Sequence, residues 1–152
     1  QLLLEADLPI EKAVAVEPLT TFSYMLADVY AHFERALADR FRYDMGYAQD
    51  YTYDTEYDVI SFVHMLLLIP LEQRRATLER AWEALRPGGV LIVLEVPKSD
   101  ASKSYDYYDS MLTEVEIGDI MSFSDVFFLD LKGLFPVPAT EGAVFRFMQK
   151  PL

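Results

Sequence analysis

Short runs of consecutive apolar residues alternate along this chain with longer stretches in which apolar residues recur every three or four positions. That alternation predicts an α/β layer architecture. Residues 1–6 read as the end of a helix, and residues 12–17 as a short strand stopped by Pro18. Thr20 and Thr21 can cap a following helix whose apolar stripe is Phe22, Met25, Leu26, Val29, Phe33 and Leu37. Residues 41–47 form a second strand candidate. Residues 57–68 begin as a strand from Tyr57, and its run from Asp58 to Val63 is almost unbroken in its hydrophobicity, which suits a strand covered on both faces.

Pro70 then opens a helix through Leu85, with Leu71, Arg74, Leu78, Trp82 and Leu85 at roughly helical spacing. Arg86-Pro87-Gly88-Gly89 ends it, since glycines beyond a helix supply the positive φ that reverses the chain, and residues 90–96 form another buried strand. Residues 105–121 hold one or two helices. Residues 127–131 and 143–149 read as strands able to pair antiparallel. No repeat, glycine-serine linker or low-complexity run divides residues 1–152, so a single domain is expected.

Composition changes this picture in three ways. An apolar fraction of 52% with 14% aromatic residues is enough to build a core, which excludes a disordered chain. A net charge of −12, with 13 basic residues in no long cluster, excludes nucleic acid as a partner. It suits a cationic or neutral ligand or a basic protein, or serves solubility alone. With no cysteine, and no carboxylate at metal-ligand spacing from His32 or His64, no metal site is expected. The longest apolar stretch, residues 59–71, is too short to cross a bilayer, and no signal peptide opens the chain. No membrane association is expected, and the expected compartment is intracellular, cytoplasmic by default.

Three features carry candidate chemistry. Glu17 closes a strand in Val14-Ala15-Val16-Glu17-Pro18, where a carboxylate in nucleotide-binding α/β folds accepts hydrogen bonds from ribose hydroxyls; acidic residues also close strands for structural reasons. Gln49-Asp50-Tyr51 precedes the next strand. A short polar side chain there can bond an adenine amino group beside a stacking aromatic, or simply form a polar turn. The third and most specific feature is a helix ending in Leu85-Arg86-Pro87-Gly88-Gly89 that reverses directly into Val90-Leu91-Ile92-Val93.

Together these residues resemble the class I S-adenosylmethionine-dependent methyltransferases, in which a strand, an acidic residue and Pro follow the first helix and an "fDvI … LrPGGvLiv" pattern marks the fourth strand to the fifth. The resemblance runs through nearly the whole chain. It implies a Rossmann-like sheet with helices on both faces and an antiparallel C-terminal strand pair, and S-adenosylmethionine as cosubstrate. By position, Glu17 would hold the ribose, and Asp50 would face the adenine with Gln49 or Tyr51 beside it. Val63, His64 and Met65 would line the pocket where cosubstrate and substrate meet. Short matches, Val16-Glu17-Pro18 and Ser61-Phe62-Val63-His64-Met65, are similar to phrases of histamine N-methyltransferase-like enzymes, which implies a small-molecule acceptor such as an amine.

His64 can be read as a catalytic base taking a proton from the acceptor, as a pocket wall, or as a core histidine bonded to a backbone carbonyl. Methyl transfer is an in-line displacement that needs alignment more than a strong base. Tyr43, Tyr47, Tyr51, Tyr53, Tyr105, Tyr107 and Tyr108 lie near carboxylates in loops around the expected pocket, a combination suited to an ammonium ligand or to half-buried surface anchoring.

The pattern departs from the family at one point. None of the six glycines forms the Gly-x-Gly turn that lets backbone amides approach the cosubstrate, and the strand before it, normally central in the sheet, has no counterpart. The expectation is an N-terminally incomplete domain whose first strand is cut away or supplied by a protein partner. The alternative is a degenerate, non-catalytic methyltransferase-like scaffold that binds a protein.

Overall fold

The computed structural model describes residues 11–18, 40–104, 106, 108–123, 128–129 and 144–152. Its contacts divide the chain into two compact units, Gln1–Thr52 and Tyr53–Leu152.

In the first unit, β1 (Ala13–Glu17) and β2 (Phe41–Met45) pair in parallel, with Ala13 opposite Phe41 and Glu17 opposite Met45. A parallel pair needs a crossover connection. The helix expected over residues 20–37 falls in that connection and, like residues 1–6, lies outside the described residues. After β2 the chain makes a 3-10 turn, Ala48–Asp50.

The second unit is a four-stranded mixed sheet in the order β3-β4-β6-β5. β3 (Tyr57–Val63) runs parallel to β4 (Leu85–Glu95), and β4 pairs antiparallel with β6 (Val144–Gln149), which also pairs antiparallel with β5 (Phe128–Leu129). The antiparallel C-terminal pair is therefore present where the pattern places it, with Phe128–Leu129 the described part of residues 127–131. The mixed α/β fold is that expected of a Rossmann-like sheet.

α1 (Leu71–Glu83) lies between β3 and β4, with Pro70 as its N-cap. Its buried face is Arg74, Thr77, Leu78 and Ala81, at helical spacing. Leu71, expected on the buried stripe, is 65% exposed, and Leu85, expected to end the helix, instead opens β4. Leu78, Ala81, Phe62, Leu91, Val93 and Met148 are all buried and form the core between this helix and one face of the sheet. A side chain of this size contributes about 1.5–3 kcal/mol when fully buried.

Two sequence expectations need correction. β3 is not covered on both faces: only Phe62 is buried, and Val59 and Val63 are 53% and 50% exposed. Successive strand side chains point to opposite faces, so an unbroken apolar run reports hydrophobicity on both sides of the sheet and not what covers each side. Residues 86–89 also do more than end a helix. α1 stops at Glu83, and Arg86-Pro87-Gly88-Gly89 lies inside β4, where the register with β3 shifts between Tyr57 and Val59. Gly88 supplies the expected positive φ of 77°. Its N–H donates to the carbonyls of Lys150 and Pro151, fastening the C-terminal segment to the bulge.

The region expected to hold one or two helices contains a 3-10 turn, Tyr108–Ser110, and α2 (Glu114–Ile120). Thr113 caps α2 reciprocally with Glu116: the Glu116 N–H donates to Thr113 Oγ1 at 3.2 Å, and the Thr113 N–H donates to Glu116 Oε2 at 2.7 Å. The Thr113 hydrogen bonds hold the Glu116 carboxyl below its ordinary value. A carboxylate with a lowered folded-state pKa contributes stability above the unfolded-state value of about 4.3, and that contribution is lost as pH falls through the folded-state value. Thr113→Ala is expected to cost about 1 kcal/mol at pH 7. Chemical denaturation of both proteins at pH 7 and pH 3 should show the difference shrinking in acid; an equal difference at both values would detach Glu116 from the cap.

Candidate functional site

In the first unit the expected cosubstrate residues gather at one edge of a small ladder. β1 and β2 are parallel, so their carboxyl ends lie side by side, the edge at which open α/β sheets bind ligands. Glu17 is the last residue of β1 and is half-buried. Its backbone carbonyl accepts from the Tyr43 hydroxyl at 3.0 Å and from the Gly46 N–H at 3.3 Å. Those bonds fix the strand end that carries the carboxyl group. Desolvation, and then the nearby Glu17 charge, push the Tyr43 phenol up.

Gln49 and Asp50 lie in the Ala48–Asp50 turn that follows β2 at this same edge, with Gln49 half-buried and Asp50 exposed. Tyr51 closes the turn. Its hydroxyl donates to Asp44 Oδ2 at 3.0 Å and accepts from Arg42 Nη2 at 3.1 Å, and Arg42 Nη2 lies 2.8 Å from Asp44 Oδ2. The phenol therefore ties the end of the turn that carries Asp50 back to β2.

In the second unit Val63, His64 and Met65 follow one another at the carboxyl end of β3. Among the described residues His64 alone has a positive φ without being glycine, at 52°. That conformation costs about 1–2 kcal/mol for an L-residue. It is held by the His64 N–H, which donates to the Leu94 carbonyl at 2.8 Å. Met65 then begins the 3-10 turn Leu66–Leu68, which has no capping side chain of its own.

The cap comes from 29 positions away. Glu95, the last residue of β4 and 3% exposed, accepts the Leu66 N–H on Oε1 at 2.7 Å. Burial pushes the Glu95 carboxyl up, opposed by the neighbouring Leu66 and Met65 amides and by the Arg74 charge. Arg74, 4% exposed, holds the other end of the turn. Its Nε donates to the Ile69 carbonyl at 2.8 Å, and Nη2 donates to Leu67 at 3.4 Å and to Ser110 at 2.9 Å. A carboxylate on the first N–H and a guanidinium on the last carbonyls complement the dipole of the turn.

Sequence reasoning placed Arg74 on the apolar stripe of α1 and assigned no role to Glu95. A charged residue inside a helical apolar stripe, and another ending a buried strand, were the available signals.

The tyrosines are largely occupied by the chain itself. Tyr43 and Tyr51 bond as described, Tyr53 and Tyr57 meet edge-to-face at 5.8 Å, and Lys98 Nζ sits 4.6 Å over the Tyr108 ring. Tyr47 is 57% exposed, and Tyr105 and Tyr107 lie outside the described residues. Among the described residues no group of histidines and carboxylates is arranged to hold a metal ion, and no helix is long and apolar enough to cross a membrane.

No family model and no curated protein matches the sequence. Solved structures do match the fold. The N-methyltransferase NodS from Bradyrhizobium japonicum WM9, bound to S-adenosylhomocysteine, superposes with a TM-score of 0.68 at 12% identity, over 93% of this chain and 67% of that one. The glycopeptide N-methyltransferase MtfA, also with S-adenosylhomocysteine, gives 0.67 at 13% identity over 91% and 73%. The S-adenosylmethionine-dependent methyltransferase SibL gives 0.63 at 16% identity over 93% of this chain, which spans 44% of SibL. Other matching structures are of O-methyltransferases. The chain thus has the fold of S-adenosylmethionine-dependent methyltransferases.

Proposed function

We propose that the chain is part of an enzyme that transfers a methyl group from S-adenosylmethionine to a small molecule, with an amine as the first acceptor class. The observation that carries this reading is the placement of Glu17 at the carboxyl end of a parallel strand in a chain with the methyltransferase fold. Matched structures, those of NodS and MtfA among them, hold S-adenosylhomocysteine, the product such a reaction leaves, which supports S-adenosylmethionine as the cosubstrate.

In this reading the Glu17 carboxylate accepts hydrogen bonds from both ribose hydroxyls, and the Tyr43 and Gly46 bonds to its backbone keep it in place. Asp50 accepts from the adenine amino group, with Gln49 beside it and the Tyr51 ring against the base. Val63, His64 and Met65 form the wall along which the sulfonium methyl meets the acceptor. The displacement needs the nucleophile, methyl carbon and sulfur in line, and a fixed backbone at His64 serves that alignment. When the acceptor is an ammonium, one proton must leave before attack, and the His64 imidazole is the group assigned to take it. NodS and MtfA are N-methyltransferases, and the −12 net charge favours a cationic acceptor.

Glu17→Ala is expected to weaken S-adenosylhomocysteine binding by about 10-fold to 100-fold, the loss of hydrogen bonds to a charged acceptor. Titration calorimetry of both proteins measures it. Equal affinities would remove Glu17 from the site.

A further inference from the structure

The turn that follows His64 is held at both ends by buried charged groups from distant parts of the chain, and nothing in the reading above uses them. Glu95 comes from the end of β4 and Arg74 from the first turns of α1, and each is more than nine-tenths buried. Glu95 and two of the three Arg74 hydrogen bonds are spent on backbone atoms of one short segment, residues 66–69, and the third Arg74 bond goes to the Ser110 carbonyl. Leu66 and Ile69 are themselves buried, at 1% and 2% exposure, so apolar packing already anchors that segment.

We propose that Glu95 is a positioning residue for the methyl-transfer pocket: its carboxylate holds the Leu66 N–H while Arg74 holds the far end of the turn, which locks His64 in its left-handed conformation. This rests on the methyltransferase reading for its functional consequence. The mechanism is local. The His64 N–H is tied to Leu94, the residue immediately before Glu95, so His64 and the Leu66 amide two positions on are bonded to consecutive residues of β4. A peptide held on both sides in this way cannot relax out of the left-handed region by rotating at His64 alone. Without the carboxylate, the Leu66 amide loses its acceptor inside a dry site, and the strained φ at His64 loses one of its two restraints.

Burial raises the Glu95 carboxyl above its ordinary value, against the lowering effect of the Leu66 and Met65 amides and the Arg74 charge. The stability associated with that group falls as pH rises from the unfolded-state value through the folded-state value.

The test is Glu95→Gln, with two readouts on the full chain. The amide keeps one acceptor oxygen but replaces the other with a donor that faces the same N–H. Backbone amide resonances of His64, Met65 and Leu66 are expected to shift in the variant without ligand, and S-adenosylhomocysteine affinity to fall by about 10-fold, a typical coupling between linked sites, while the thermal midpoint is retained. Unmoved amide resonances would overturn the proposal. So would shifted resonances with unchanged affinity in a protein that binds the ligand. If the unsubstituted protein binds no S-adenosylhomocysteine, the methyltransferase reading falls, and the amide resonances still decide whether Glu95 holds His64. Glu95→Asp, which keeps the charge but withdraws it by one methylene, gives the same two readouts if the glutamine variant does not fold.

Discussion

Arg74→Met is expected to destabilise the protein by at least about 3 kcal/mol, because bonds from a charged donor are worth about 1.5–3 kcal/mol each and the carbonyls left behind are shielded from water. The guanidinium serves three carbonyls, those of Ile69, Leu67 and Ser110, and so joins the turn after β3 to the loop that precedes α2. Methionine keeps the aliphatic bulk against Thr77 and Leu78 but satisfies none of those oxygens. Burial lowers the guanidinium pKa from its ordinary value, while Glu95, Glu116 and Glu72 raise it, so the cation is kept by its acidic surroundings. Urea denaturation of the two proteins measures the loss. A difference under about 1 kcal/mol would show that water replaces the guanidinium at the carbonyls and that the side chain is not the tie described above.

The second large effect is steric. A methyl group added at Gly89 would lie 2.8 Å from the Arg86 carbonyl oxygen, 3.1 Å from that of Tyr57 and 3.2 Å from that of Asp58. All three are backbone atoms at the β3–β4 bulge, so the strain cannot be relieved by turning a side chain. Gly89→Ala is expected to cost about 2–3 kcal/mol, in the range found for overpacked interiors. Gly46, at the end of the β1–β2 ladder, has no atom within 4 Å of the same added methyl. There the substitution is expected to be neutral or to stabilise by up to about 1 kcal/mol through the unfolded chain. Thermal melts of the two variants side by side separate the effects. Equal midpoints would mean that the bulge yields where it is drawn tight.

The Pro-Gly-Gly segment shows how much of the fold is legible without coordinates. Its residue types announce a reversal into a buried strand, and β4 follows as expected, because a helix stop and an apolar run are local properties. Its structural role is different. Gly88 carries the positive φ, whereas Gly89 is required by the Arg86 carbonyl three positions earlier and also by the close approach of Tyr57 and Asp58, residues some thirty positions earlier. No local pattern reports such a neighbour.

The same limit explains β3. The apolar run locates the strand to the residue at its start, but an unbroken run does not say which face receives a helix, and only Phe62 is enclosed. At the candidate site, Glu17 was legible because a carboxylate ending a strand before proline is a local signature. Glu95 was not, because its meaning comes from the Leu66 amide it bonds, 29 positions earlier. Arg74 was visible only as an anomaly, a charge in an apolar stripe, and the carbonyls that explain it belong to segments of the chain outside the helix.

The central claim is that this fold binds the product of methyl transfer. The measurement that tests it most directly is calorimetric titration of S-adenosylhomocysteine into the protein and into its Glu17→Ala variant. The account predicts saturable binding at one site per chain, weakened by Glu17→Ala. No heat of binding to either protein, with both shown to be folded, would contradict it.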